Sequence, residues 1–240
     1  VGISLGGYVA YKLFGMRAGA LLGGVIGGLV SSTATTVSYS RRTTTETALG
    51  AFVIMTASCV SVVRVLVEIA AVAPGMFPKI APPLIAMLVA CSVVAAALFF
   101  PSRKQGGKMP EQKNPAELKA AFTFGALYAL VLLAVASAKD HFGSAGLYIV
   151  AIISGLTDVD AITLSSAQLA ASNSIDAGTA WQIILIAIMA NLLFKFGVVA
   201  MLGPASLTKW VGGAFALVLI AGAALLLLWP VDEQGGESPS

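Results

Sequence analysis

Long apolar runs separated by short polar breaks organise the chain. They fall at residues 1–13, 18–30, 47–73, 80–100, 120–138, 145–156, 180–202 and 211–229. A helix rising 1.5 Å per residue needs about 20 apolar residues to cross a bilayer. The runs at 47–73, 80–100, 120–138, 180–202 and 211–229 reach that length. Pro74-Gly75, Pro101 and Pro230 close three of them, because proline cannot continue a helix. The stretch 102–117 carries Arg103, Lys104, Lys108 and Lys113 with prolines and glycines, and reads as a solvated cytoplasmic linker. The Gly/Ser/acidic tail 231–240 reads as disordered. The pattern predicts an all-α polytopic membrane protein: a first membrane repeat at 1–101, the linker, a second repeat at 118–230, and the tail. The first run is short and opens without Met, so a segment is expected to precede Val1.

Composition sharpens the class. The chain is 58% hydrophobic and 10% charged, against roughly 45–50% and 25% in soluble domains. This excludes a soluble domain, a disordered chain and a nucleic-acid binder. Cys59 and Cys91 both lie in apolar runs and lack metal-ligand or disulfide-framework spacing.

The two halves share a motif. FGMRAGALLGGVIGGLVSSTATTVSYS starts at Phe14, and FGSAGLYIVAIISGLTDVDAITLSSA starts at Phe142. After one residue is dropped they align at a constant offset of 127, from Ala18 with Ala145 to Ser38 with Ser165. The same offset sets Arg64 opposite Asn191 and Glu68 opposite Lys195, and each half ends in an aromatic-proline pair. An internal duplication is the reading.

In each half the motif follows an apolar run of only 12 or 13 residues and then meets a polar cluster. Irregular backbone at membrane depth survives only where protein or water satisfies it. The segment is therefore a broken helix that still crosses or a re-entrant hairpin. Charge counting separates the two. If the segment crosses, the loop Lys and Arg residues divide seven to five. If it re-enters, each half has three crossings and the halves are inverted. Lys12, Arg17, Arg41, Arg42, Arg103, Lys104, Lys108, Lys113, Lys119 and Lys209 then share one side, with only Lys79 and Lys139 opposite. The positive-inside rule favours re-entry and inversion.

Asp158 and Asp160 are the sharpest chemical signal, since a carboxylate at bilayer depth costs several kcal/mol. With Thr157 and Thr163 they offer hard oxygen ligands, suited to Na⁺, Mg²⁺ or a proton, and Asp158 and Asp160 are the candidate metal ligands. The alternative is that one of them simply caps the following helix. Their first-half counterparts, Ser31, Ser32, Thr33 and Thr36, either complete the same site or bond back to their own helix. Arg64, Glu68, Asn191 and Lys195 form an expected buried polar layer. The pairings to seek there are Glu68 with Lys195, and Arg64 with Asp158 or Asp160; such pairs also serve a purely structural role. Glu46 is expected to be solvated near Arg41 and Arg42. Gly19, Gly23, Gly27 and Gly28, with Gly155 in the second half, permit close helix packing within the chain or in a homodimer. His141 beside Asp140 reads as a surface residue, and nothing forms a catalytic constellation.

At GGLVSSTATTVSYSRRT and SGLTDVDAITLSSAQLA the chain resembles the C-terminal membrane domain, domain of unknown function 4010, of bacterial two-domain proteins whose N-terminal part is MgtC/SapB-like. The resemblance runs from about Gly7 to Pro230. It implies a bacterial inner-membrane protein with an upstream MgtC-like partner domain, and supplies no catalytic residues. Taken together, the expectation is a non-enzymatic transporter of a cation or small solute. Its site lies at the midplane where the two motifs meet, holds a bound cation or proton, and has no covalent cofactor. The rival expectation is a regulatory module that binds another membrane protein through its Gly-rich helix.

Overall fold

The computed structural model describes the backbone of residues 2–43, 45–102 and 146–230, and the side chains of 20–43, 45–102, 148–156 and 158–230. The expected span at 120–138, the linker beyond Ser102, His141 and the tail 231–240 lie outside the described residues. Seven helices are described: α1 (Gly2–Arg42), α2 (Thr47–Val72), α3 (Phe77–Ser102), α4 (Gly146–Thr157), α5 (Asp160–Ala171), α6 (Ala177–Leu202) and α7 (Ala205–Leu228). Five stretches are long and apolar enough to cross a membrane: Ala20–Arg42 and all of α2, α3, α6 and α7. The chain is a multi-pass, all-helical membrane protein.

The apolar runs at 1–13 and 18–30, expected as separate elements, are joined within α1. No proline interrupts residues 14–17, so nothing stops the helix there.

α1 is not one straight rod: its axis reverses. A Cβ placed on Gly23 meets the Tyr39 hydroxyl at 2.9 Å, and one on Gly27 meets Thr35 Cγ2 at 2.9 Å. In a straight helix those pairs stand about 24 and 12 Å apart along the axis. The chain therefore folds back near Ser31, and residues 32–42 return along residues 20–30. Hence Ala20–Arg42, although long enough to cross, is a helical hairpin folded back on itself. The order of contacts with α2 agrees: Gly24 abuts Val53 and Thr56, and Gly28 abuts Ala57 and Val60. Those numbers rise together, so the first arm runs parallel to α2. A single straight rod joined to α2 by a short loop would run antiparallel to it.

The second half has a similar arrangement with an open break. α4 ends at Thr157 and α5 begins at Asp160. Tyr148 donates to Gln182 at 3.0 Å, and Gly155 packs against Ala187. α4 is thus parallel to α6, whereas α5 leads into α6 through only five residues, 172–176. Asp176 caps α6 by accepting the Thr179 amide at 2.8 Å.

α2 and α6 form the centre. In their most apolar windows, 67% and 61% of residues are buried, against 28% in both α3 and α7. The outer helices expose Val89, Val93, Leu217 and Ile220, an apolar surface suited to lipid. α6 runs antiparallel to α2. Ser58, early in α2, meets Lys195, late in α6, at 3.4 Å, and Gly203 at the end of α6 lies by the Ser40 carbonyl just before α2 begins. The halves pack by exchange: α1 on α6 and α5 on α2, α3 on α6 and α7 on α2, with α3 against α7.

Candidate functional site

A hairpin tip at membrane depth leaves helix-terminal carbonyls and amides without intrahelical partners. In the first tip, Ser31 Oγ accepts the Ala34 amide at 3.2 Å. The hydroxyls of Thr35 and Thr36 donate back to the carbonyls of Ser31 and Ser32, at 2.9 and 2.8 Å. The Gly28 carbonyl, at the end of the first arm, accepts Arg64 Nη1 of α2 at 3.3 Å. In the second tip, Asp158 Oδ1 accepts the Asp160 amide at 3.1 Å. The Gly155 carbonyl accepts Asn191 Nδ2 of α6 at 2.9 Å. The same bond therefore recurs at an offset of 127: residue 64 to residue 28, and residue 191 to residue 155. Small residues at Gly28 and Gly155 make both possible, because each lets the arm touch the next helix backbone.

The two tips meet. They enclose a cavity of about 250 Å³. Val30, Ser31, Ser32 and Thr33 line it from the first tip, and Asp158, Val159 and Asp160 from the second. Ser61 and Arg64 of α2 and Asn191 of α6 complete the wall. Arg64 Nη2 pairs with Asp160 Oδ2 across the halves, and the two side chains remain 23% and 25% exposed, toward this space. Asp158 makes no ion pair among the described residues; its carboxylate serves the tip. The cavity thus gathers one guanidinium, two carboxylates, one amide and four hydroxyl residues inside an apolar bundle.

Residues 1–203 match the model of a family described as Domain of unknown function (DUF4010). The chain belongs to that family. It is also 33% identical over 215 residues to an uncharacterized protein of Aquifex aeolicus (strain VF5), covering 87% of this chain and 93% of the relative. No solved structure matches the chain. The DUF4010 match spans both hairpins, so the tips and the cavity lie wholly inside the family region.

Of the residues singled out in this DUF4010 chain, Ser31, Ser32, Thr33, Arg64, Asp158, Asp160 and Asn191 come together in the cavity. Thr36 and Thr163 do not line it; both are buried, and the Thr163 hydroxyl has no hydrogen-bond partner among the described residues. The Thr157 side chain and the surroundings of Gly19 lie outside the described residues. Of the two acids, Asp158 takes the Asp160 amide just before α5 begins, and Asp160 is drawn into an ion pair. Ser61, one helical turn before Arg64 and so on its face, was not singled out; that spacing was the available signal.

Two expectations are corrected. Glu68 and Lys195 do not pair. The antiparallel crossing of α2 and α6 sets Lys195 opposite Ser58, ten residues and so about 15 Å along α2 from Glu68. Lys195 is only 1% exposed, and one Glu68 carboxylate oxygen is buried without a hydrogen-bond partner among the described residues. Glu46 is not solvated. It is 7% exposed, and its Oε2 has no hydrogen-bond partner among the described residues, so desolvation raises its carboxyl above the usual range. Asp160 faces Arg64, and among the described residues no three His, Cys, Asp or Glu side chains gather to hold a metal.

Proposed function

We propose that this protein is a transporter for a small polar solute or cation, residing in the bacterial inner membrane and working without enzymatic chemistry. The observation that carries the reading is the meeting of two re-entrant tips, one from each half, around a charged cavity within an apolar bundle. Buried charge inside a membrane is costly and marks a pathway for polar cargo, and discontinuous helices supply free helix ends to hold that cargo. We also propose that the halves are inverted repeats. The recurring Arg64–Gly28 and Asn191–Gly155 bonds, the exchanged packing and the antiparallel α2 and α6 support this. Inverted halves allow the cavity to face either side by rocking one half against the other. Asp158, which makes no ion pair among the described residues, is the residue proposed to bind a coupling monovalent cation or proton.

The rival reading, a regulatory module with a Gly-rich docking face, is disfavoured by where the glycines point. Gly24 and Gly28 are occupied by α2, and Gly23 and Gly27 by the returning arm of their own hairpin. The test is uptake into proteoliposomes of the full chain, screened over Na⁺, H⁺, Mg²⁺, Mn²⁺, small anions and pooled radiolabelled small solutes. The expected outcome is flux above empty liposomes that Asp158→Asn reduces at least tenfold. Absence of flux for every member of the screen overturns the transport reading.

A further inference from the structure

The Arg64–Asp160 pair sets a condition on what can occupy the cavity. It joins α2 of one half to the tip of the other, and both side chains are partly open to the enclosed space. A ligand that engages either group competes with this pair. An anion that takes Arg64 leaves the Asp160 carboxylate unpaired. A cation that takes Asp160 leaves the guanidinium unpaired. The two side chains are only 23% and 25% exposed, so the charge left behind is incompletely solvated and the exchange is unfavourable. A ligand carrying both charges avoids the penalty: its carboxylate replaces Asp160 at Arg64, and its ammonium replaces Arg64 at Asp160.

The rest of the wall agrees in chemistry and size. Around Arg64 stand Asn191 and the hydroxyls of Ser31, Ser32 and Ser61, donors for a carboxylate. Arginine receives a carboxylate through two parallel N–H donors. Asp158 lies beside Asp160 and adds a second acceptor for an ammonium group. About 250 Å³ is just below the roughly 300–1,000 Å³ of sites for drug-sized ligands. That size accommodates an amino acid.

We propose that the cavity binds a small zwitterion whose ammonium and carboxylate flank one carbon, an α-amino acid, inserted between Arg64 and Asp160. This inference rests on the transport reading and narrows its substrate. Insertion separates the second tip from α2, so occupancy and movement of that tip are coupled.

The test uses the purified full chain in detergent and reads thermal shift and calorimetric affinity. The twenty amino acids are screened singly; the best binder is then compared with its carboxylate-only and amine-only analogues, such as alanine with propionate and ethylamine, and with NaCl alone. At least one amino acid is expected to bind tenfold or more tightly than either analogue. Asp160→Asn is expected to lower that affinity at least tenfold and to raise propionate affinity, because Arg64 is released. Arg64→Gln is expected to lower zwitterion affinity likewise and to raise that of ethylamine. Should either single variant unfold, Arg64→Gln with Asp160→Asn removes both charges together, and it is expected to fold and to bind none of the three. The proposal is overturned if no amino acid binds better than its singly charged analogues, or if Asp160→Asn leaves the preference unchanged. Preference for a singly charged ligand that is also taken up by liposomes sinks the zwitterion while leaving transport standing; amino-acid binding without any flux does the reverse.

Discussion

Adding one methyl group at Gly155 tests the geometry on which the second hairpin depends. A Cβ there would lie 2.7 Å from Ala187 Cα and 2.8 Å from its carbonyl carbon, where ordinary contact begins at 3.4 Å. The neighbour is backbone of a central helix, so the strain cannot be released by a side-chain rotation. α4 must retreat from α6 by more than half an ångström. Overpacking of this kind typically costs about 1–3 kcal/mol. The same retreat stretches the 2.9 Å bond from Asn191 to the Gly155 carbonyl, worth about 0.5–1.5 kcal/mol more. Alanine returns about 0.5–1 kcal/mol of helix propensity. The net expectation for Gly155→Ala is a loss of about 0.5–4 kcal/mol, which for a chain of this size lowers the melting temperature by roughly 1–16 °C. Gly197→Ala and Gly213→Ala are the controls, since a Cβ at either position meets nothing within 4 Å. Both are expected to leave stability unchanged or slightly raised. Thermal unfolding in one detergent, followed by thiol-reactive dye or size-exclusion recovery, compares the three. If Gly155→Ala melts with the controls, α4 does not lie against α6 as described, and the close approach of the hairpin arm is refuted.

Two further outcomes are expected. Lys195 is 1% exposed, with a hydroxyl at 3.4 Å as hydrogen-bond partner and no paired carboxylate among the described residues, and an enclosed amine without such a partner is costly; Lys195→Met is expected to raise the melting temperature by a few degrees, and a clear fall would reveal a compensating anion. Glu46, at the start of α2 and outside the spans, has its carboxyl raised by burial, so the folded state disfavours its charged form. Its contribution is therefore lost as pH rises from the unfolded carboxylate value through the higher folded one. Glu46→Gln is expected to match wild type near pH 4 and to be the more stable at pH 7, and equal stability at both pH values would contradict the burial.

The sequence by itself determined the class, the spans and the two motifs. Apolar runs of bilayer length leave no alternative to helices, because every backbone amide in lipid must be satisfied within its own segment. The offset of 127 residues and the polar clusters located both tips, and charge bias favoured re-entry. Other features needed the tertiary structure. The first hairpin turns tightly at Ser31, whose hydroxyl takes the Ala34 amide, whereas the second leaves a gap at Asp158 and Val159 between its two helices, and the matching motifs gave no reason to expect that difference. Which polar groups meet was likewise outside the reach of spacing. Glu68 and Lys195 are matched by the 127-residue offset, but antiparallel helices bring together positions with a constant sum, not equivalent positions. Lys195 therefore met Ser58, and Arg64 and Asn191, near the centre of the crossing, both reached the one cavity. Side-chain partnership depends on the relative direction of two helices, and that direction is fixed only when both tips and both central helices pack at once.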